Sequence, residues 1–155
     1  MTWEDRIAGD GAEDPTQLLA NPLNWRIHTH DQETALAGVL DSVGWVQRVI
    51  VNRTTGHLID GHLRVSLAIT RGEPSVPVVY VDLSAEEEAL ILATLDPLSA
   101  MAGTDRDVLD DLLASLGESD QALAALTQEQ PRSQPQEEPE PQLIACPECG
   151  HEFTP

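Results

Sequence analysis

The sequence predicts an α+β (α/β) fold: a small mixed sheet with flanking helices, followed by a linker and a short cysteine-bearing tail. Three observations predict it. Runs rich in β-branched residues at Val49–Val51 and Pro77–Val81 alternate with helical apolar stripes around Leu36–Val43 and Leu63–Ala68. A strand-to-helix turn, Ile59-Asp60-Gly61-His62-Leu63-Arg64, joins the two periodicities. From residue 128 the chain becomes proline-rich and polar, which separates a folded domain from the C-terminal tail.

The 155 residues have room for one domain of roughly 100–150 residues plus tails. Residues 1–14 carry Gly9, Gly11 and five acids without an apolar period, and read as a flexible acidic lead. Order is expected from Pro15. Residues 31–43 place Leu36, Val39, Leu40 and Val43 on one helical face, with Asp31 as N-cap and Gly44 as the stop. Val49–Asn52 and His57–Asp60 read as short strands joined by a turn at Gly56, a hairpin that delivers the chain to Gly61. A helix is expected from His62 to Gly72, then a strand over Pro77–Val81.

Ser84 and Glu87 have the spacing of a capping box, and the three glutamates that follow Ala85 suit the positive end of a helix. Pro97 is expected to end that helix. Thr104 can cap a further helix bearing Val108, Leu109, Leu112, Leu113 and Leu116, and residues 122–126 can add a short turn or two. The domain is therefore expected over residues 15–127, with its core in 15–84 and packing helices in 85–127. Residues 128–142 hold too few apolar groups to offset ordering entropy and read as a linker. Residues 143–155 form a separate module.

The net charge is -19, all eight basic residues are arginine, and lysine is absent. Such acidity argues against a broad electrostatic footprint on DNA. The charge is uneven: residues 15–84 hold six acids and five arginines, whereas residues 85–127 hold ten acids and one arginine. No apolar run approaches the roughly 20 residues of a membrane span, and Met-Thr-Trp-Glu-Asp is no signal peptide, so a cytoplasmic location is expected.

A strand that ends in glycine and passes straight into a helix aims free backbone N–H groups and the positive helix end at one point, which attracts an anion. Gly61 would let backbone approach a phosphate, Arg64 would add a charge-assisted contact, and His62 could donate a hydrogen bond or titrate. Gly-x-x-Arg alone is ordinary, since both residues occur in such places without a ligand. The run around it is more specific. It comprises Leu18-Leu19-Ala20-Asn21-Pro22-Leu23-Asn24-Trp25-Arg26, then Ala35–Val51 with Gly44-Trp45-Val46-Gln47, then Ile59–Ala68, then Val76–Ser84.

These four pieces, in order, resemble the ParB/sulfiredoxin superfamily, particularly ParB-like domains of phage and plasmid proteins and of the neighbourhood of DNA methyltransferases. The resemblance covers residues 15 to about 116. It implies a turn that cradles the phosphates of CTP or ATP with Mg²⁺, with the arginine of Asn-Pro-x-x-x-Arg nearby. By that resemblance Arg26, Gly61, His62, Leu63 and Arg64 form the nucleotide site. Trp25 and Trp45 read as core residues more readily than as base-stacking platforms, and Arg26 has Asp31 and Glu33 as alternative partners.

The chain departs from its relatives in ways that bear on chemistry. Sulfiredoxins carry cysteine within this turn, where His62 stands here, so sulfiredoxin activity is not expected. Chromosome-segregation ParB proteins carry Gly-Glu-Arg-Arg, whose glutamate serves CTP turnover; here there is no such glutamate and no following helix-turn-helix. Where the family usually has an Asn-containing motif, this chain has Thr94-Leu95-Asp96-Pro97, and Asp96 is a candidate magnesium ligand. Asp60 and His62 are candidate catalytic residues which, with Asp96 and a metal, would suit a nuclease. His28 and His30 are a weaker candidate metal pair, with helix capping as the plainer reading.

In the tail, Cys146-Pro147-Glu148-Cys149-Gly150-His151 has the form of a zinc knuckle. It supplies at most three of the four ligands of a structural Zn²⁺ through Cys146, Cys149 and His151; a dithiol redox pair is the alternative. Three functions stay open: a nucleotide-binding accessory in phage or plasmid DNA metabolism, partition or DNA modification; a metal-dependent nuclease; and an acidic zinc-knuckle adaptor recruiting a DNA-modifying enzyme. NTPase activity, DNA or methyltransferase partners and a homodimer belong to these expectations.

Overall fold

The computed structural model describes residues 2–116 and two short strands near the C-terminus. The elements are β1 (Ile7–Glu13), a 3₁₀ turn (Pro15–Gln17), α1 (His30–Val43), β2 (Val49–Asn52), β3 (Leu58–Asp60), α2 (His62–Arg71), β4 (Val76–Val81), α3 (Ala85–Ala100), α4 (Arg106–Leu116), β5 (Ile144–Ala145) and β6 (Glu152–Phe153). Four strands form a mixed sheet in the order β1-β4-β2-β3, with β2 and β4 parallel and the outer pairs antiparallel. β5 and β6 pair with each other. Residues 122–126, the 128–142 stretch, Cys146, Cys149 and His151 lie outside the described residues.

The core follows from strand periodicity. Val49 and Val51 on β2, and Val76 and Val78 on β4, project from alternate positions to one face and are at most 5% exposed. They meet Leu58, Val65 and Ala68, with Leu18, Trp45 and Tyr80 packed around them. α2 therefore lies on the sheet by its Val65–Ala68 side, and its Gly72 C-cap turns left-handed as expected for a glycine stop. α3 packs against β3, with Leu92 buried. Among the described residues no helix is long and apolar enough to cross a membrane.

Several local expectations change. Residues 7–13 are not a lead but the edge strand β1, paired with β4 from Ile7↔Val81 to Glu13↔Val76. This strand is ordered by backbone hydrogen bonds and polar side chains, which an apolar-period search does not detect. Arg6 donates to both Glu87 carboxylate oxygens at 2.9 and 2.7 Å, Arg48 pairs with Asp10 at 2.5 Å, and the Tyr80 hydroxyl donates to Glu13. Pro97 does not end α3, which continues to Ala100. The carbonyl left without its usual donor is that of Ala93, on the exposed side of the helix where water can serve it.

The Ser84–Glu87 capping box forms as expected. Thr29 rather than Asp31 caps α1, accepting from the Gln32 N–H at 3.2 Å. Asp105 rather than Thr104 receives the Val108 N–H at 3.1 Å ahead of α4. Trp45 does pack on the core, but Trp25 is 56% exposed and is held by its indole N–H on the Leu92 carbonyl, 3.0 Å away.

Candidate functional site

β3 delivers the chain to Gly61, which has φ 93° and ψ 16° and opens α2 with no side chain capping the first turn. The reason for glycine is packing. A Cβ here would stand 3.1 and 3.2 Å from the two Val49 methyls and 3.3 Å from the Val49 Cα. Left-handed backbone and lack of space thus both demand glycine, whatever the turn binds.

Around this turn lies a cleft of about 220 Å³ whose walls include Arg26, His28, Asp60, Gly61, His62, Leu63, Arg64 and Asp96. All of these stand out in the sequence, His28 least, and three elements, β3, α2 and α3, together with the 21–29 segment bring them together. Asp60, the last residue of β3, organises the cations. It accepts from Arg26 Nη1 at 3.2 Å and from Arg64 Nη2 at 2.6 Å, one turn into α2. Arg64 Nη1 also donates to Gln47 at 2.5 Å. Arg26 pairs with Asp60 and Asp96, not with Asp31 or Glu33. Its Nε lies against the Asp96 carboxylate as an ion pair without the direction of a hydrogen bond. Two arginines thus face two carboxylates.

The remaining polar atoms are less satisfied. Arg26 Nη2, His28 Nε2 and His62 Nδ1 are buried without a hydrogen-bond partner. His62 Nε2 accepts the backbone N–H of Asn21 at 3.2 Å, so the hydrogen-bond pattern assigns the ring proton to Nδ1. Burial, and then the nearby Arg26 charge, hold the His62 pKa below its usual value against the pull of Asp60, which favours the neutral ring near pH 7. The His28 Nδ1 faces Gln32 Oε1 at 3.0 Å, while His30 starts α1 exposed, so the two histidines do not form a pair. No group of three or more His, Cys, Asp or Glu residues with metal-holding geometry occurs among the described residues.

Sequence reasoning missed Asn21 and Glu88, which support the cleft from behind. Glu88 is 4% exposed and accepts from Asn21 and Asn52, both at 2.6 Å, and from Thr55 at 2.5 Å. Helix-end electrostatics accounts for Glu86 and Glu87 but not for this third glutamate. A signal was available: Glu88, Leu92 and Asp96 are spaced four apart, and the stripe through an apolar Leu92 faces inward.

No family model matches the sequence, and no curated protein matches it. Among solved structures, the chain is similar to the C-terminally truncated chromosome-partitioning protein ParB from Caulobacter crescentus, a structure complexed with CTP-gamma-S, with a TM-score of 0.54 and 20% identity. That similarity covers 69% of this chain and 61% of the other. A Pnob8-like ParB-N domain matches with a TM-score of 0.46 and 16% identity, over 55% of this chain and 34% of that one. The chain spans less than two thirds of either structure. Its fold is ParB-like.

Proposed function

We propose that the chain is a nucleotide-binding module whose α2 turn holds the phosphates of CTP or ATP. The observation that carries this reading is the pair of buried donors without partners, Arg26 Nη2 and His62 Nδ1, on one cleft at an uncapped helix start. A buried donor left unpaired costs about 1–3 kcal/mol, which a phosphate oxygen would recover while also meeting the positive helix end. The cleft is smaller than the roughly 300–1,000 Å³ usual for whole small molecules, so it suits the phosphates, with sugar and base extending beyond it.

Asp60 and Asp96 are already engaged by arginine, so magnesium enters this reading on the nucleotide's own phosphates and not through a ready-made cage of carboxylates. The turn offers groups that bind phosphate and no glutamate to drive turnover, which favours binding over hydrolysis. With a net charge of -19, the module contacts DNA through a partner, consistent with an accessory role in phage or plasmid DNA metabolism or modification.

Calorimetric titration with CTP, ATP and GTP in Mg²⁺ tests the reading. Binding of one nucleotide is expected, weakened roughly 10- to 100-fold in Arg64→Ala by loss of a charge-assisted contact. Absence of binding to all three nucleotides would refute it. Metal-dependent DNA cleavage that disappears in His62→Ala would replace it with the nuclease reading.

A further inference from the structure

Glu88 is a buried carboxylate with no arginine beside it. Its partners are the neutral donors Asn21 Nδ2, Asn52 Nδ2 and Thr55 Oγ1, with His57 Nδ1 at 3.7 Å. Burying a charge among neutral groups is a poor route to stability, because an apolar side chain of similar volume avoids the desolvation cost. What the charge holds is more informative. Asn21 is 4% exposed and each of its polar groups has a partner, the backbone carbonyl accepting the Asn24 N–H at 3.0 Å. The side-chain amide donates to Glu88 at 2.6 Å, Oδ1 accepts the Leu23 N–H at 2.9 Å, and the backbone N–H reaches His62 Nε2 at 3.2 Å.

We propose that Glu88 is a positioning residue for the phosphate cleft: it clamps Asn21, and the Asn21 N–H thereby fixes His62 as the Nδ1–H tautomer. Free neutral histidine favours its proton on Nε2, so the protein must impose the other form. The result decides what the cleft offers. With the proton on Nδ1 the ring presents a donor to an anion; with the tautomer reversed it presents a lone pair, which repels one. The chain of contacts spans α3, the segment before α1 and the first turn of α2, three parts of the molecule that approach one another only in the folded protein.

This inference deepens the proposed function, but its test does not depend on nucleotide binding. Long-range ¹H–¹⁵N correlation spectra of the full chain report the tautomer of each of the five histidines, with His62 assigned by its disappearance in His62→Asn. The wild type is expected to show His62 protonated at Nδ1, and a ring protonated at Nε2 would overturn the proposal outright. In Glu88→Gln the clamp has lost its charge, and His62 is expected to shift toward Nε2–H. Thr55→Val removes a different donor from Glu88 and leaves Asn21 alone, so it should lower stability without moving the tautomer. If Glu88→Gln does not fold, Asn21→Asp breaks the same contact by placing two carboxylates together.

An unchanged His62 signal in whichever of the two variants folds would show that Glu88 only braces the fold. CTP with Mg²⁺ is then the second probe. Its affinity should fall about tenfold in Glu88→Gln, the share of one charge-assisted hydrogen bond, and recover in part when Asn21→Asp is added to reverse donor and acceptor. Wild-type protein that shows the Nδ1–H form yet binds no nucleotide would leave the clamp standing and overturn the reading of the cleft.

Discussion

Replacing Gly61 by alanine separates the packing role of this glycine from any role toward a ligand. The residue sits at φ 93°, where an L side chain costs about 1–2 kcal/mol. Its new methyl would also lie 3.1–3.3 Å from three atoms of Val49, a residue with 0% exposure in the centre of the sheet. Val49 has no free space to move into, so overpacking adds about 1–3 kcal/mol. The expected loss is about 3 kcal/mol, a large part of the roughly 5–15 kcal/mol that holds a domain folded. Urea unfolding followed by tryptophan fluorescence and circular dichroism would read it as a midpoint lowered by on the order of 2 M, for an m-value of about 1–2 kcal/mol/M. Val49→Ala in the same chain should relieve the contact with the methyls but not that with the Cα, so the double variant should be more stable than additivity predicts. A change within about 0.5 kcal/mol for Gly61→Ala would refute the reasoning, and would return the glycine to the ligand side of the turn.

Four further outcomes are expected. The single tyrosine, Tyr80, has its pKa raised to about 12 by its hydrogen bond to Glu13, with burial and the same carboxylate's charge adding to it. A folded value above the unfolded one means stability held below about pH 10 and lost as the pH rises toward 12; absorbance titration should show this, and Glu13→Gln should bring the ionisation down. For Glu88, burial pushes the pKa up but hydrogen bonds from Thr55, Asn52 and Asn21, with the His57 charge, outweigh it, so the value lies below 4.5. Its contribution is therefore present above about pH 4.5 and lost as the pH falls through the lowered value, and Glu88→Gln should flatten that acid limb in denaturant titrations. Removing residues 1–14 should lower the thermal midpoint, because it strips β1 from β4; an unchanged midpoint would deny β1 a part in the sheet. The zinc-knuckle reading of Cys146, Cys149 and His151 predicts that elemental analysis finds zinc in the full chain and none after truncation at Gln142, and equal zinc in both would exclude Cys146 and Cys149 as ligands.

The elements that sequence made legible are those whose order comes from apolar periodicity or from a strong punctuation residue. The β2–β3 hairpin, α2 with its Gly72 stop and the Ser84–Glu87 box belong to this group. β1 was illegible because its burial is slight and its partner lies some 70 residues away, so nothing local marks it. Pro97 misled because its cost as a helix breaker is lowered where water can serve the freed carbonyl, here that of the exposed Ala93. Within the cleft, Arg26, Asp60, His62 and Arg64 were accessible through the turn and the family resemblance. Their neutralisation by one another was not, since it depends on α3 bringing Asp96 across to Arg26. Glu88 was hidden in a run of three glutamates that helix electrostatics explained too easily.

The parallel pairing of β2 with β4 has a consequence for when the turn exists at all. The β3 strand, Gly61 and the whole of α2 lie in the connection between these two strands, and Val49↔Val78 closes it. Closing a loop of this length costs entropy before the strand contacts reward it, so the turn is complete only once β2 and β4 have paired. The hydrogen-bonded amides of α2, from the Val65 N–H on the Gly61 carbonyl at 2.9 Å onward, should therefore exchange with deuterium only when the entire sheet opens, at a free energy close to that of global unfolding. A phosphate site embedded in this way has no separate melting of its own, and a ligand bound there would slow exchange throughout the sheet and not merely around itself.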